Sequence, residues 1–415
     1  MKAPGEGRRL LLAILGEALR AVNGREVVAR RLRRAPLPGP VRAVAVGKAA
    51  AAMTAGALDA LGERLQAALV ITKYGHLVPS LDGDPRVRCL EAGHPVPDAA
   101  SLRAGEALLD FVHAIPRGDR VLFLISGGTS SLVEAPVAGV DLDTLQRVNR
   151  WLLASGLDIH QINAVRKRLS RIKGGRLLTA LTGLAVEALL ISDVRGDDPA
   201  VIGSGMLVPG EALDPLDLPL PDWLRSLLAG LPAPPAAPRH EVHIEVVANL
   251  DQALEAAVGA ARARGLEAVR HPEFLDGDAV AAGRRLGAQV AAARPGLQAW
   301  GGETTVVLPP HPGRGGRNQS LALAAATRLD GHSGAWLLAV GTDGTDGPTG
   351  DAGALVDGGT VARGRARGLD PETALAAADA GSFLAVSGDL VRTGPTGTNV
   401  MDLVLGLRLG GEGPE

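Results

Sequence analysis

Residues 120 to 132, RVLFLISGGTSSL, run from an unbroken apolar stretch into two glycines and a cluster of hydroxyls. Apolar residues that do not alternate with polar ones predict a strand buried on both faces, as parallel sheets carry beneath their helices. The glycines let the chain turn back, and the hydroxyls suit the first turn of a helix. A core strand ending in such a turn is the unit from which α/β sheets are built.

The same unit recurs on both sides of this stretch. Upstream, VRAVAVG (41–47) leads into KAAAAMTAGALDALG (48–62), whose alanines and leucines favour helix, and AALVIT (67–72) and VRCLEA predict further strands. Downstream, DAASLRAGEALLDFVHAI predicts a helix capped by Asp98, two helices fill 141–180, and LAVEALLIS (184–192) is another core strand. The proline-rich LPAPPAAPR (231–239) has the composition of a linker. Beyond it the pattern restarts with EVHIEVVA as a strand, a helix over 249–264, the strand LEAVRH and a helix over 277–294. LQAWGGETTVVLP then reads as a strand pair around its Gly-Gly turn, followed by a helix over 317–329 and the strand AWLLAVG. A chain of 415 residues exceeds one ordinary core. The expected fold class is therefore α/β in two domains, residues 1–235 and 240–415, and no repeat of 20 to 50 residues is visible.

Composition removes several classes of function. A formal net charge of -2 supplies no field to gather nucleic acid or anionic membrane. Aromatic residues are 2% of the chain, too sparse for a base-stacking surface. One cysteine, Cys89, allows neither an internal disulfide nor a thiolate metal cluster. The N-terminal MKAPGEGRRLLLAILGEALRAVNGR carries Glu17 within its apolar part and fits an amphipathic helix rather than a signal peptide. No stretch reaches the ~18 apolar residues of a membrane span, so a soluble, cytoplasmic protein is expected. Five of the 43 basic residues are lysines, and a lysine retained against that bias marks a place that needs a compact ammonium.

Ligands of open α/β sheets bind beyond the carboxyl ends of the strands. Those ends here are VGKAA, TKYGH, SGGTSS, SDVRGDDP, GGETT and GTDGTDGPTGDAG, all rich in glycine, hydroxyl, lysine or carboxylate. In SGGTSS, residues Ser126, Gly127, Gly128, Thr129 and Ser130 suit an anion site as well as they suit a tight capped turn. Lys48 in VGKAA opens a helix, where a cation is disfavoured unless an anion faces it; the spacing is not that of a Walker A loop. The basic run NAVRKRLSRIKGGRL reads mostly as a solvated helix face, with one or two residues, Arg166 or Lys167, reaching a substrate anion. Asp193, one residue past a strand, suits a general base or a magnesium ligand. GRGGRNQ sets Arg317 and Asn318 at a helix start suited to phosphate. GTDGTDGPTGDAG (341–353) lacks EF-hand spacing and suits Mg²⁺ or a substrate hydroxyl through Asp343 and Asp346, with Asp351 before an expected helix start. Acidic loops beside phosphate-binding loops point to phosphoryl transfer.

These motifs together carry a family. VGKAAAAM, GHPVPD, LISGGTSSL, NAVRKRLSRIKGGRL, ISDVRGDDPAVIGSG, GGETTVVL, GRGGRNQ, GTDGTDGPTGDAGA and TGPTGTNVMDL resemble, in this order, the glycerate 2-kinases of the MOFRL type. The resemblance spans Val41 to Leu403. It implies phosphorylation of D-glycerate to 2-phosphoglycerate with ATP and a divalent metal, Mg²⁺. It also implies a Rossmann-like α/β/α N-terminal domain and a smaller α/β C-terminal domain whose end packs back on the first, with the site in the cleft between. Lys48 and Arg317 match the family's proposed active-site lysine and arginine, and TGPTGTNVMDL adds Asn399 to the phosphate-binding set. The chain departs from the family's usual residues at Thr129, Arg195, Gly203 to Met206, Ser320 and Met401, the last replacing an asparagine. Some relatives are called hydroxypyruvate reductases, but no strand here ends in the G-x-G-x-x-G of a nicotinamide site. A non-catalytic nucleotide-binding module and a homodimer remain open readings of the sequence.

Overall fold

In the computed structural model, which describes residues 5–209, 213–232, 238 and 240–410, the strand of RVLFLIS takes the fourth place in chain order within a six-stranded sheet. Its strands are β1 (Val41–Val46), β2 (Leu65–Lys73), β3 (Val87–Ala92), β4 (Arg120–Ile125), β5 (Ala185–Ile191) and β6 (Val242–Ala248). All pairings are parallel and the order is β3-β2-β1-β4-β5-β6. This is the doubly wound Rossmann order, and its direction reverses between β1 and β4. Val121, Phe123 and Ile125 pack with Val44, Val46, Leu69 and Leu108 in one core. A second cluster, around Leu145, Val148, Val165 and Leu224, gathers the helices Leu142–Ala154, Ile159–Leu169 and Asp222–Gly230.

The second sheet is mixed. It contains β7 (Ala268–Leu275), β8 (Gly296–Gly302), β9 (Ala335–Gly341), β10 (Gly353–Asp357), β11 (Leu390–Val391) and β12 (Asp402–Arg408), in the order β11-β10-β9-β12-β8-β7. Only β7 and β8 are parallel; the other pairings are antiparallel. The helix Arg317–Leu329 is buried around most of its circumference, with Leu321 to Ala326 all in the core.

The chain divides into two compact units, Gly24–Ala248 and Met1–Asn23 with Asn249–Glu415. Several sequence expectations change here. EVHIEVVA does not open the second domain, because β6 pairs with β5 and completes the first sheet. Most of the LPAPPAAPR linker lies outside the described residues. The N-terminal helix Gly5–Ala21 belongs with the second sheet: its buried face, Leu11, Ile14, Leu15 and Ala18, sits in the unit that holds the helix Leu250–Arg262, and Arg264 pairs with Glu17 at 2.8 Å. The C-terminal strand β12 lies between β9 and β8 in the second sheet. The expected strand pair in LQAWGGETTVVLP is one strand, β8, which runs through both glycines. Just beyond Gly302 the chain makes a single bridge, from Thr305 to Asp278. No helix among the described residues is long and apolar enough to cross a membrane.

Candidate active site

The first unit places Lys48 and SGGTSS side by side because β1 and β4 are neighbours. The Lys48 backbone N–H donates to Gly127 O at 2.9 Å, and the Ala49 N–H donates to Ser126 Oγ at 3.0 Å. Gly47 permits this approach: its φ is +128, and a Cβ there would stand 2.2 Å from Ser126 Oγ. Thr129 Oγ1 donates to Val46 O at 3.0 Å and to Ser126 O at 2.7 Å. Ser126 and Thr129 are therefore buried ties between two strand ends, and their hydroxyls already have partners. Gly128, with φ +88, lies against the side chains of Lys48 and His94, whose Cγ and Cδ2 would stand 3.3 and 3.1 Å from an added Cβ. The helix after it, Thr129–Leu132, is a single turn, so its dipole adds little to anion binding.

Ser130 Oγ meets Ser204 Oγ at 2.7 Å, and Ser204 Oγ donates to Asn163 Oδ1 at 2.9 Å, which ties this turn to the helix Ile159–Leu169. That helix is not the solvated face expected of a basic run. Lys167 is 8% exposed and donates to Ala200 O at 3.2 Å; burial draws its pKa down. Arg166 donates to Asn149 Oδ1 at 3.3 Å and is also drawn down by burial. Lys173, 1% exposed, pairs with the buried Glu134. Arg168 caps the carbonyls of Leu228, Leu231 and Pro232. Four basic side chains of this run are thus spent on the interior of the unit. Asp193 follows β5, half-buried, at the same sheet end as Lys48.

In the second unit the side chains gather around Arg317. Its Nε and Nη2 donate to Asp402 Oδ2 and Oδ1 at 2.6 and 3.0 Å, and Nη1 meets Glu303 Oε1 at 2.7 Å. Burial alone would lower the Arg317 pKa, but Asp402 and then Glu303 hold it above the ordinary arginine value. Asp346 caps the helix Arg317–Leu329 from a distant loop, accepting from the N–H groups of Asn318 at 3.0 Å and Gln319 at 2.8 Å. Gly316 is small for that reason: a Cβ there would lie 2.3 Å from Asp346 Cγ. Desolvation raises the Asp346 carboxyl to about 6, against the opposing pull of those two N–H groups. Thr342 binds the loop before β12, taking the Val400 N–H at 2.8 Å on an oxygen that itself donates to Met401 O at 2.6 Å. Asn399 stands in that loop, 6% exposed.

The two carboxylates expected to hold magnesium already have protein partners. Both Asp346 oxygens serve the helix end, and Asp343 Oδ1 accepts from Thr345 N and Oγ1 at 2.9 and 3.0 Å. Among the described residues no group of three or more His, Cys, Asp or Glu side chains is placed to hold a metal ion. Asp351 does not start a helix; it precedes β10, buried, and pairs with Arg314 at 2.5 Å and Arg392 at 2.6 Å. Sequence reasoning missed Asp402, Glu303 and His94 as site residues, although each sits in one of the nine motifs. Among the described residues, Thr304 Oγ1, Asn318 Oδ1 and Thr398 Oγ1 are buried without a hydrogen-bond partner. Such groups cost ~1–3 kcal/mol each and persist where water or a ligand completes them.

Comparison with known proteins identifies the family. Residues 10–214 match the DUF4147 domain of unknown function, and residues 297–402 match the MOFRL family. The D-glycerate 2-kinase of Thermotoga maritima is 38% identical over 97% of this chain and 99% of its own. A putative hydroxypyruvate reductase of Agrobacterium vitis is 40% identical over 87% of this chain and 97% of its own. The crystal structure of glycerate kinase from Thermotoga maritima superposes with a TM-score of 0.84 at 37% identity, covering 98% of this chain and all of that one.

Proposed function

The chain belongs to the glycerate 2-kinases of the MOFRL type, and on that premise we propose that it transfers the γ-phosphoryl group of ATP to the 2-hydroxyl of D-glycerate. The bond between the γ-phosphorus and its bridging oxygen breaks, a bond to the glycerate oxygen forms, the hydroxyl proton leaves, and ADP departs. The observation that carries this reading is the tie between the Lys48 turn and the Gly127 turn. It fixes one lysine at the reversal of a Rossmann-order sheet, where such folds hold nucleotides.

Lys48 neutralises charge on the transferred group, as cationic clamps do in phosphoryl transfer. Gly127 and Gly128 give phosphate oxygens a surface without side chains, and Ser130 lines it. Asp193 is assigned the hydroxyl proton. Arg317, Asn318 and Asn399 hold substrate oxyanion and hydroxyl. Arg166 and Lys167, spent on buried partners, shape the turn rather than touch the ligand. Mg²⁺ enters as the nucleotide's counter-ion, and no protein ligand is assigned to it.

The test is a turnover assay with ATP, Mg²⁺ and D-glycerate, resolving 2-phospho- from 3-phosphoglycerate. The same preparation is given NADH and hydroxypyruvate in parallel. Formation of 2-phosphoglycerate without NADH oxidation is expected; NADH oxidation alone would overturn the reading.

A further inference from the structure

Two carboxylates hold Arg317, and they are not equivalent. Asp402 opens β12, where its backbone lies in register with Gly302 and Gly341, and its side chain is 5% exposed. It takes two guanidinium nitrogens, Nε and Nη2, and removing it would strand a partly buried cation. Glu303 lies one residue beyond β8, its side chain 46% exposed, and meets another edge, at Nη1. Ion pairs in water are weak and break readily, so this is the edge that can be vacated. Next to Glu303 and Arg317 in sequence stand Thr304 and Asn318, each with a buried polar oxygen that has no partner among the described residues.

We propose that Glu303 is a built-in placeholder. In the free enzyme its carboxylate occupies the Nη1 edge of Arg317 and gives way to a substrate oxyanion, so that Glu303 sets the affinity of the site. The oxyanion is the carboxylate of the hydroxy acid or a phosphate of the nucleotide, two sources of one chemistry. This rests on the assignment of Arg317 as a substrate contact.

Glu303→Gln keeps the size of the side chain and removes its charge; Glu303→Ala removes the competitor altogether. In steady-state kinetics of both variants, the KM for one substrate, D-glycerate or ATP, is expected to fall roughly two- to five-fold. The effect is expected to shrink at high salt, where exposed charges are screened. The substrate whose KM falls identifies the oxyanion. Unchanged or raised KM values for both substrates, in variants with the parent's melting temperature, would overturn the placeholder. If the parent protein turns over neither substrate, the kinase reading fails, and calorimetry with D-glycerate, ATP and inorganic phosphate still decides. Tighter binding of one of them to Glu303→Gln upholds the proposal, and equal binding overturns it.

Discussion

The backbone N–H of Lys48 donates to the carbonyl of Gly127 at 2.9 Å, so the turn that carries the lysine is fastened to the glycine turn of the neighbouring strand. This bond uses main chain alone. Lys48→Ala therefore keeps it while removing the ammonium. Turnover is expected to fall by about 10²- to 10³-fold, as for loss of a transition-state charge contact. The thermal unfolding midpoint should stay within a degree or two of the parent. Turnover near that of the parent would remove Lys48 from the mechanism.

Asp402 is expected to act on the reaction through Arg317. Asp402→Asn keeps one acceptor and loses the charge that fixes Nε and Nη2 of the guanidinium. A misplaced arginine of this kind can cost about 10²-fold in rate. The expected signature is a fall in kcat at parental expression and folding, measured by steady-state kinetics beside circular dichroism. A change in stability alone, with kcat preserved, would make Asp402 a structural residue only.

Asp346 makes stability depend on pH in an unusual direction for a carboxylate. Its folded pKa is raised to about 6 from 3.8, so between those values the folded protein holds more protons than the unfolded chain. Stability from this group is complete below pH ~4 and is lost as pH rises through ~6, by about 3 kcal/mol. Asp346→Asn has no proton to lose and keeps an oxygen for the helix end. Denaturation at pH 4.5 and 7.5 is expected to show the variant gaining on the parent at the higher pH. A parallel pH dependence in the two proteins would refute this assignment.

The buried pair Lys173–Glu134 makes a second stability prediction. Glu134 also accepts from the Ala135 N–H at 3.0 Å and the Ser170 hydroxyl at 2.5 Å, so it joins three segments. Glu134→Gln leaves the Lys173 ammonium without its countercharge and should cost about 3–5 kcal/mol, whereas replacing both residues with apolar side chains should recover much of the loss. Equilibrium unfolding of the two single variants and the double variant measures the coupling. Additive losses would show that the two side chains are not energetically coupled.

Local patterns determined much of this protein by themselves. Largely apolar runs such as VRAVAV and RVLFLI marked strands with both faces covered, and the glycine and hydroxyl residues after them marked the sheet end that carries chemistry. Nine ordered motifs identified the family because each is a short contiguous string. The tertiary structure decided what depends on partners far away in the chain. EVHIEVVA follows a proline-rich stretch and so read as the start of a new domain, but its partner β5 lies far back in the chain and makes it the last strand of the first sheet. The basic run looked solvated because charge density is local, whereas Glu134, Asn149 and Ala200, which absorb it, are not. That Asp346 caps the distant helix Arg317–Leu329 with both its oxygens was not legible in the loop's own sequence. Met401 stands where the family's usual residue is asparagine, and its φ of +68 is a conformation that asparagine tolerates better than a longer side chain. Strand and turn propensity act over a few residues, but charge pairing, capping and burial act through space, and a sequence alone does not say which residues meet there.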